Sequence, residues 1–239
     1  MSLPGQEALA ADGLNLLAVL AVADLPAALR APLAGAPGAP PAPRLVLVGN
    51  AGPALWRTVQ AAGIASDDPI DDFSRARVDR WLDALPGCHW RHWLFPGDAP
   101  VGLQALGEVA GWHHPAPFRV GIQPGWGSWF AYRAAVLVDA PLAPTPALTG
   151  QSPCAACSAR PCVTACPAGA LAGGDFDLEA CLDWRLAAGS SCADTCLARL
   201  ACPVGAQHRY DTAQIRHAYG HSLHMLRHWR TRAASRPDR

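Results

Sequence analysis

Nine cysteines occur in this 239-residue chain, and eight of them fall between Cys154 and Cys202. No other feature constrains the fold as much. The first half of the cluster reads Cys154-Ala-Ala-Cys157-Ser-Ala-Arg-Pro-Cys162-Val-Thr-Ala-Cys166-Pro167. The second half is looser: Cys181, then Cys192-x3-Cys196-x5-Cys202-Pro203. Each half ends in Cys-Pro, and Cys202-Pro203-Val-Gly echoes Cys166-Pro167-Ala-Gly. Thiols this dense either ligate metal or pair with one another. In a reducing compartment, ligation is the favoured use.

The closing Cys-x3-Cys-Pro of the first half is the end of a bacterial ferredoxin motif, in which the fourth Cys serves the other cluster. The gap between Cys157 and Cys162 is longer than in that motif. A cubane cluster takes four thiolates, and a Pro after the last Cys starts a helix without orphaning an N–H. Swapped ligation then divides eight cysteines evenly. One [4Fe–4S] cluster falls to Cys154, Cys157, Cys162 and Cys202, the other to Cys166, Cys181, Cys192 and Cys196. Structural zinc, which also uses Cys-x2-Cys pairs, stays open as an alternative, as do disulfides and a single cluster. Cys88 stands outside and reads as a buried free thiol.

Composition narrows the remaining chemistry. Apolar residues make up 51% of the chain, enough for a sizeable core, and formal net charge is zero. Bulk electrostatics therefore argue against a nucleic-acid partner. All 19 cations are Arg. Without a lysine there is no Schiff base and no P-loop lysine. The apolar run Leu14–Ala23 follows acidic residues and is too short for a membrane span. The expectation is a cytoplasmic protein with no membrane partner.

Along the chain, strands are expected at Arg44–Val48, Arg119–Gln123 and Trp129–Val138. Helices are expected over Gly52–Gly63, Asp72–Leu85 and Val101–Trp112, and from Asp211, where Asp211 and Gln214 suit a capping box. Asp71-Asp72 suits a helix cap. The Pro-rich 141–146 segment marks a boundary. The expected modules are 1–146, 147–210, and a helix with a basic tail over 211–239.

The cysteine region over roughly 150–205 resembles the ferredoxin-like domain of epoxyqueuosine reductases and reductive dehalogenases. In those enzymes two clusters pass electrons to a corrinoid, and an isolated Cys lies between two Cys-Pro motifs, as Cys181 does here. A second resemblance rests on Gln123-Pro124-Gly125-Trp126-Gly127-Ser128-Trp129-Phe130-Ala131-Tyr132-Arg133. This turn is similar to the His-Pro-x-Phe-Gly-Gly-Trp-Phe-Ala-x-Arg turn of cobalamin-processing proteins of the cblC type. Pro124, Gly127, Trp129, Phe130, Ala131 and Arg133 match; Gln123, Trp126 and Ser128 differ. The likeness spans about 44–140. It implies an α+β, nitroreductase-related fold with cobalamin, or else flavin, beside the turn. Gln123, Pro124, Gly127, Trp129, Phe130 and Arg133 are its candidate cofactor-binding residues. On the residues alone, the turn reads equally as an aromatic strand–turn–strand corner. Arg133, set in an apolar strand, requires a partner there.

The expected function is iron–sulfur electron transfer from a donor protein or small reductant to a corrinoid, which would make the chain a candidate corrinoid reductase. A ferredoxin-type carrier, a tRNA-base reductase and a zinc-stabilised interaction module are the alternatives. His217, His221, His224 and His228 recur at helical spacing and read as a solvated face. Arg227, Arg230, Arg232, Arg236 and Arg239 read as a solubilising, frayed tail.

Overall fold

The runs Leu45–Val48 and Ala134–Val138 are continuously apolar, and apolar on both faces means central strands. In the computed structural model, which describes residues 3–234, these runs are the middle of a four-stranded antiparallel sheet. Its strands are β1 (Leu16–Ala21), β2 (Arg44–Ala51), β3 (Arg91–Phe95) and β4 (Phe130–Val138), in the order β1-β2-β4-β3. Leu45 to Val48 and Ala134 to Val138 have no solvent exposure.

The chain divides into two compact units. The first runs to His114 and resumes over Trp129–Gly150; the second comprises Pro115–Ser128 and Gln151 onwards. The first unit holds the sheet with α1 (Gln6–Ala11), α2 (Ala27–Arg30), α3 (Ala54–Ala62), α4 (Pro69–Asp83) and α5 (Leu103–Val109). Alternate residues Val46, Val48, Ala134, Val136 and Val138 pack with Leu55 and Val59 of α3 and Phe73, Val78, Trp81 and Leu82 of α4. The helical spacing of those four α4 residues turns them towards the sheet. Gly63 ends α3 in the left-handed conformation, where a glycine carries no Cβ penalty. Asp71 and Asp72 lie inside the first turn of α4 and favour its positive end; the residue before the helix is Asp68. Cys88 is half-buried against this core.

The second unit has short helices: α6 (Pro161–Thr164), α7 (Leu178–Leu186) and α8 (Leu197–Ala201), then the long α9 (Thr212–Ala234). Asp177 caps α7 by accepting the Ala180 N–H at 2.9 Å. Asp211 accepts the Gln214 N–H at 2.7 Å, but Gln214 Oε1 makes no return bond, so the expected box is half formed. Arg230 is not in a frayed tail: α9 continues past it, and it pairs with Glu179 and Asp183 of α7. Arg236 and Arg239 lie outside the described residues.

Three expectations about chain organisation change. The boundary expected at 141–146 falls later, at Gly150. Thr145 donates its N–H to the Val19 carbonyl, and Leu148 to that of Ala110, so the first unit extends to Gly150. The C-terminal helix is part of the second unit rather than separate. Residues 119–123 form no strand; they run into a closed turn that belongs to the second unit. Among the described residues, no helix is long and apolar enough to cross a membrane.

Candidate iron–sulfur centre

Two short helices interleave the cysteines. Cys162 lies in α6, and Cys166 follows two residues after its end. Cys196 and Cys202 are the residues flanking α8. Each helix therefore carries one member of either expected set of four. All nine cysteines are free thiols, and the eight of the cluster are buried or half-buried.

The electrostatic neighbours follow the same division. Burial pushes the Cys154 thiol up, and Cys202, Cys162 and Cys157 push it further. Burial also raises Cys162, with Cys202 and Cys157 adding to the effect while the N–H groups of Val163 and Cys162 oppose it. Cys181 is raised by burial; Cys196, Cys166 and Cys192 add to it, and Arg185 opposes. A thiol in such company stays protonated unless a cation offsets the repulsion, and a ligated metal supplies that charge.

The second set surrounds a cavity of about 420 Å³ lined by Cys166, Cys181, Cys192 and Cys196. Its wall is otherwise largely apolar, with Phe118, Leu171, Phe176 and Leu182. Arg185 and Arg199 also line it. Among the described residues, no three His, Cys, Asp or Glu converge on a single-ion site. Four thiols spread around a hollow suit a polynuclear cluster with a volume of its own. Of the first set, Cys162 and Cys202 are buried with Ile122, Leu171 and Ala198 in the core of this unit. The chemistry of the second donor set, four thiols about a largely apolar hollow, fits a thiolate-held metal group.

Arg185 was not singled out in the sequence, although it stands four residues after Cys181 on α7, a spacing that puts both on one helix face. Its Nε donates to the Cys192 carbonyl at 3.2 Å, and its other nitrogens donate to Ala193 O, Tyr219 O and Ser222 Oγ. Arg199, three residues after Cys196, is 7% exposed. It donates to the Ser128 carbonyl and, at 3.3 Å, to Ser128 Oγ, and it lies over the Tyr210 ring. The backbone amides of Arg199 and Ala198 oppose the rise that burial causes at the Cys196 thiol. Burial pushes the Tyr219 hydroxyl up to about 12, so it remains neutral beside these cations.

The six turn residues separate between the units. Gln123, Pro124 and Gly127 belong to the second. Gln123 and Gly127 exchange backbone hydrogen bonds of 3.0 and 2.8 Å, and Gln123 Oε1 accepts the Gly125 N–H. The close approach that Gly127 permits is to backbone rather than to a ligand. With φ at 62°, a Cβ there would lie 2.0 Å from the Val204 carbonyl oxygen. Gly205, also left-handed, faces Trp126 and Gly127 in return. The echo Cys202-Pro203-Val-Gly is thus the segment against which the turn is folded. Pro124 is exposed.

Trp129, Phe130 and Arg133 belong to the first unit. Trp129 and Phe130 are buried, and Phe130 meets Tyr132 edge-on at 5.8 Å. The partner Arg133 requires is in the chain: its Nε donates to Asn50 Oδ1 at 2.7 Å, and Asp71 lies 3.9 Å from its NH1. Asn50, wholly buried on β2, carried no sequence signal of its own. Tyr132 sits with its hydroxyl 3.3 Å from His113 Nδ1; burial raises the tyrosine and lowers the histidine.

No protein-family profile and no characterised protein matches the sequence. The likeness to known proteins is structural. A selenomethionine-labelled epoxyqueuosine reductase superposes with a TM-score of 0.59 at 16% identity, over 87% of this chain and 66% of that one. The Bacillus subtilis epoxyqueuosine reductase gives 0.54 at 16% identity, over 87% and 66%. An epoxyqueuosine reductase solved with a tRNA-Tyr stem loop gives 0.56 at 15% identity, over 88% and 67%. The C. elegans B12-trafficking protein CblC covers 90% of this chain and 89% of its own at 15% identity, but its TM-score of 0.46 carries no fold argument. The chain spans about two thirds of the length of the reductases. At these identities the finding is one of fold: this chain is folded like the corresponding part of epoxyqueuosine reductases.

Proposed function

We propose that the chain is an iron–sulfur electron-transfer protein holding two [4Fe–4S] clusters. One is on Cys154, Cys157, Cys162 and Cys202, the other on Cys166, Cys181, Cys192 and Cys196. The observation that carries this reading is the cavity ringed by all four cysteines of the second set. Cys181, remote in sequence from its partners, is the member that spacing alone could least assign. The clusters supply one-electron storage. The chain supplies thiolates, an apolar wall that limits water, and the arginines described above.

The acceptor in this reading is a corrinoid associated with the N-terminal module, so that the protein is a corrinoid reductase. Support for the corrinoid comes from the turn's resemblance to cobalamin-processing proteins. In this chain Arg133 is held by Asn50 and Asp71, and Trp129 and Phe130 are buried. A second reading, reduction of a modified tRNA base, draws on the shared fold with epoxyqueuosine reductases.

Anaerobic purification with assays of iron and labile sulfide tests the first step. Eight irons per chain are expected; zinc without sulfide overturns it. Titrating the reduced protein with cobalamin then separates the acceptors. A shift to the base-off or Co(I) spectrum supports the corrinoid. No response to cobalamin, together with turnover of an epoxide-bearing tRNA base, moves the assignment to the second reading. No response to either leaves a ferredoxin-type carrier.

A further inference from the structure

The two cysteine sets differ in the charge around them. Arg185 and Arg199 both line the cavity of the Cys166, Cys181, Cys192 and Cys196 set. Arg185 contacts only neutral groups among the described residues, three carbonyl oxygens, Ser222 Oγ and the Tyr219 ring, so no carboxylate cancels its charge. Arg199 is almost fully buried, where a charge is screened least. Of the acids close to Arg185 in sequence, Asp194 pairs with Arg216, and Glu179 and Asp183 pair with Arg230. Arg119 lines the same cavity but is exposed. Around the other set, Cys162 and Cys202 are buried with the apolar Ile122, Leu171 and Ala198. Arg160, the nearest cation in sequence, is exposed.

Reduction adds one negative charge to a cluster. A fixed cation in a partly dehydrated wall stabilises that charge, and hydrogen bonds to ligand sulfur act in the same direction. We infer that Arg185 and Arg199 make the Cys166/Cys181/Cys192/Cys196 site the higher-potential of the two, so that electrons pass from the Cys154/Cys157/Cys162/Cys202 site to it. This rests on the iron–sulfur reading above and gives it a direction. One electron leaves the first site as one arrives at the second; no bond breaks and no proton is required. The electron itself comes from an external one-electron reductant. Arg185 and Arg199 are positioning residues in this scheme, not ligands.

The test is a redox titration of the intact, cluster-loaded protein with viologen mediators, followed by electron paramagnetic resonance. Two one-electron waves are expected. Arg199→Gln and Arg185→Gln should each lower the upper wave and leave the lower one in place. The expected size is about a tenfold fall in the reduced-to-oxidised ratio at fixed potential, which is about 59 mV for a one-electron couple. Arg199→Lys, which keeps the charge, should restore most of the shift. Arg185→Gln carries the test alone if loss of the Ser128 contact unfolds the Arg199→Gln protein. Movement of the lower wave instead, no movement in either variant, or no restoration by lysine overturns the inference. Iron and sulfide are measured on every sample. Their absence from the wild type would sink the iron–sulfur reading itself, an outcome distinct from two waves that ignore the arginines.

Discussion

In the first unit the longest fully buried runs are aliphatic and lie on β2 and β4, where Leu45 to Val48 and Ala134 to Val138 are sealed from water. In the second unit the buried cluster is Ala116, Phe118, Ile122, Leu171 and Ala198 together with Cys162 and Cys202. The first unit is organised by a hydrogen-bonded sheet with helices against it. The second has helices of four, nine and five residues before α9 begins. Helices that short are marginal without tertiary support. The difference teaches where stability comes from in each. A sheet core needs only its own side chains, whereas thiols lining a hollow stabilise little until something fills it.

The largest test of that contrast is removal of metal. On the iron–sulfur reading proposed above, chelation of the anaerobic protein should collapse hydrogen-exchange protection across 151–209, because metal binding and folding are one free energy in such a region. Peptides covering 16–21, 44–51 and 130–138 should keep their protection. Equal loss in both units would break the comparison.

A core deletion in the first unit should show the converse. Leu82 is fully buried on α4. Leu82→Ala should cost about 2–5 kcal/mol of stability in chemical denaturation. Iron content per folded chain should not change.

Gly127→Ala tests the second unit without touching a thiol. The alanine must adopt φ near 62° and would meet the Val204 carbonyl. The backbone conformation alone costs about 1–3 kcal/mol. The effect should appear as faster exchange at 123–128 and 203–206, with the sheet unaffected. An unchanged exchange profile would mean that the turn is not pinned there.

The comparison also explains what could be read in advance. β2 and β4 were legible because burial on both faces forces a continuous apolar run, and the four cysteines that line the cavity stand within the stretch that cysteine density singles out. The 119–123 segment misled because Val120 and Ile122 alternate as a strand would. Ile122 is indeed buried, but under a turn whose hydrogen bonds close on themselves. The glycines of that turn suggested a close approach, and the approach is real. Its object, backbone at Val204, lies some eighty residues away in sequence, beyond any local signal. Asn50 could not be found for the same reason: its role exists only because β2 is hydrogen-bonded to β4.

Titration of one carboxyl in the first unit should produce the smallest effect. Asp139 follows β4, and its Oδ1 accepts the N–H groups of both His89 (2.8 Å) and Trp90 (3.0 Å). Burial pushes its carboxyl up, but those two amides and the His89 charge outweigh it and hold the group below its ordinary value. A carboxyl depressed in the folded state contributes stability that is complete above its unfolded pKa, about 3.9. That contribution is lost as pH falls through the folded value. The acid limb of the first unit's stability curve should therefore steepen below about pH 4. Asp139→Asn keeps an oxygen for both amides but cannot titrate. Its curve should be flatter over the same range and slightly lower at neutral pH, where the carboxylate accepts more strongly. Identical acid limbs for the two proteins would show that the 89–90 corner is held by β3 pairing and not by this charge.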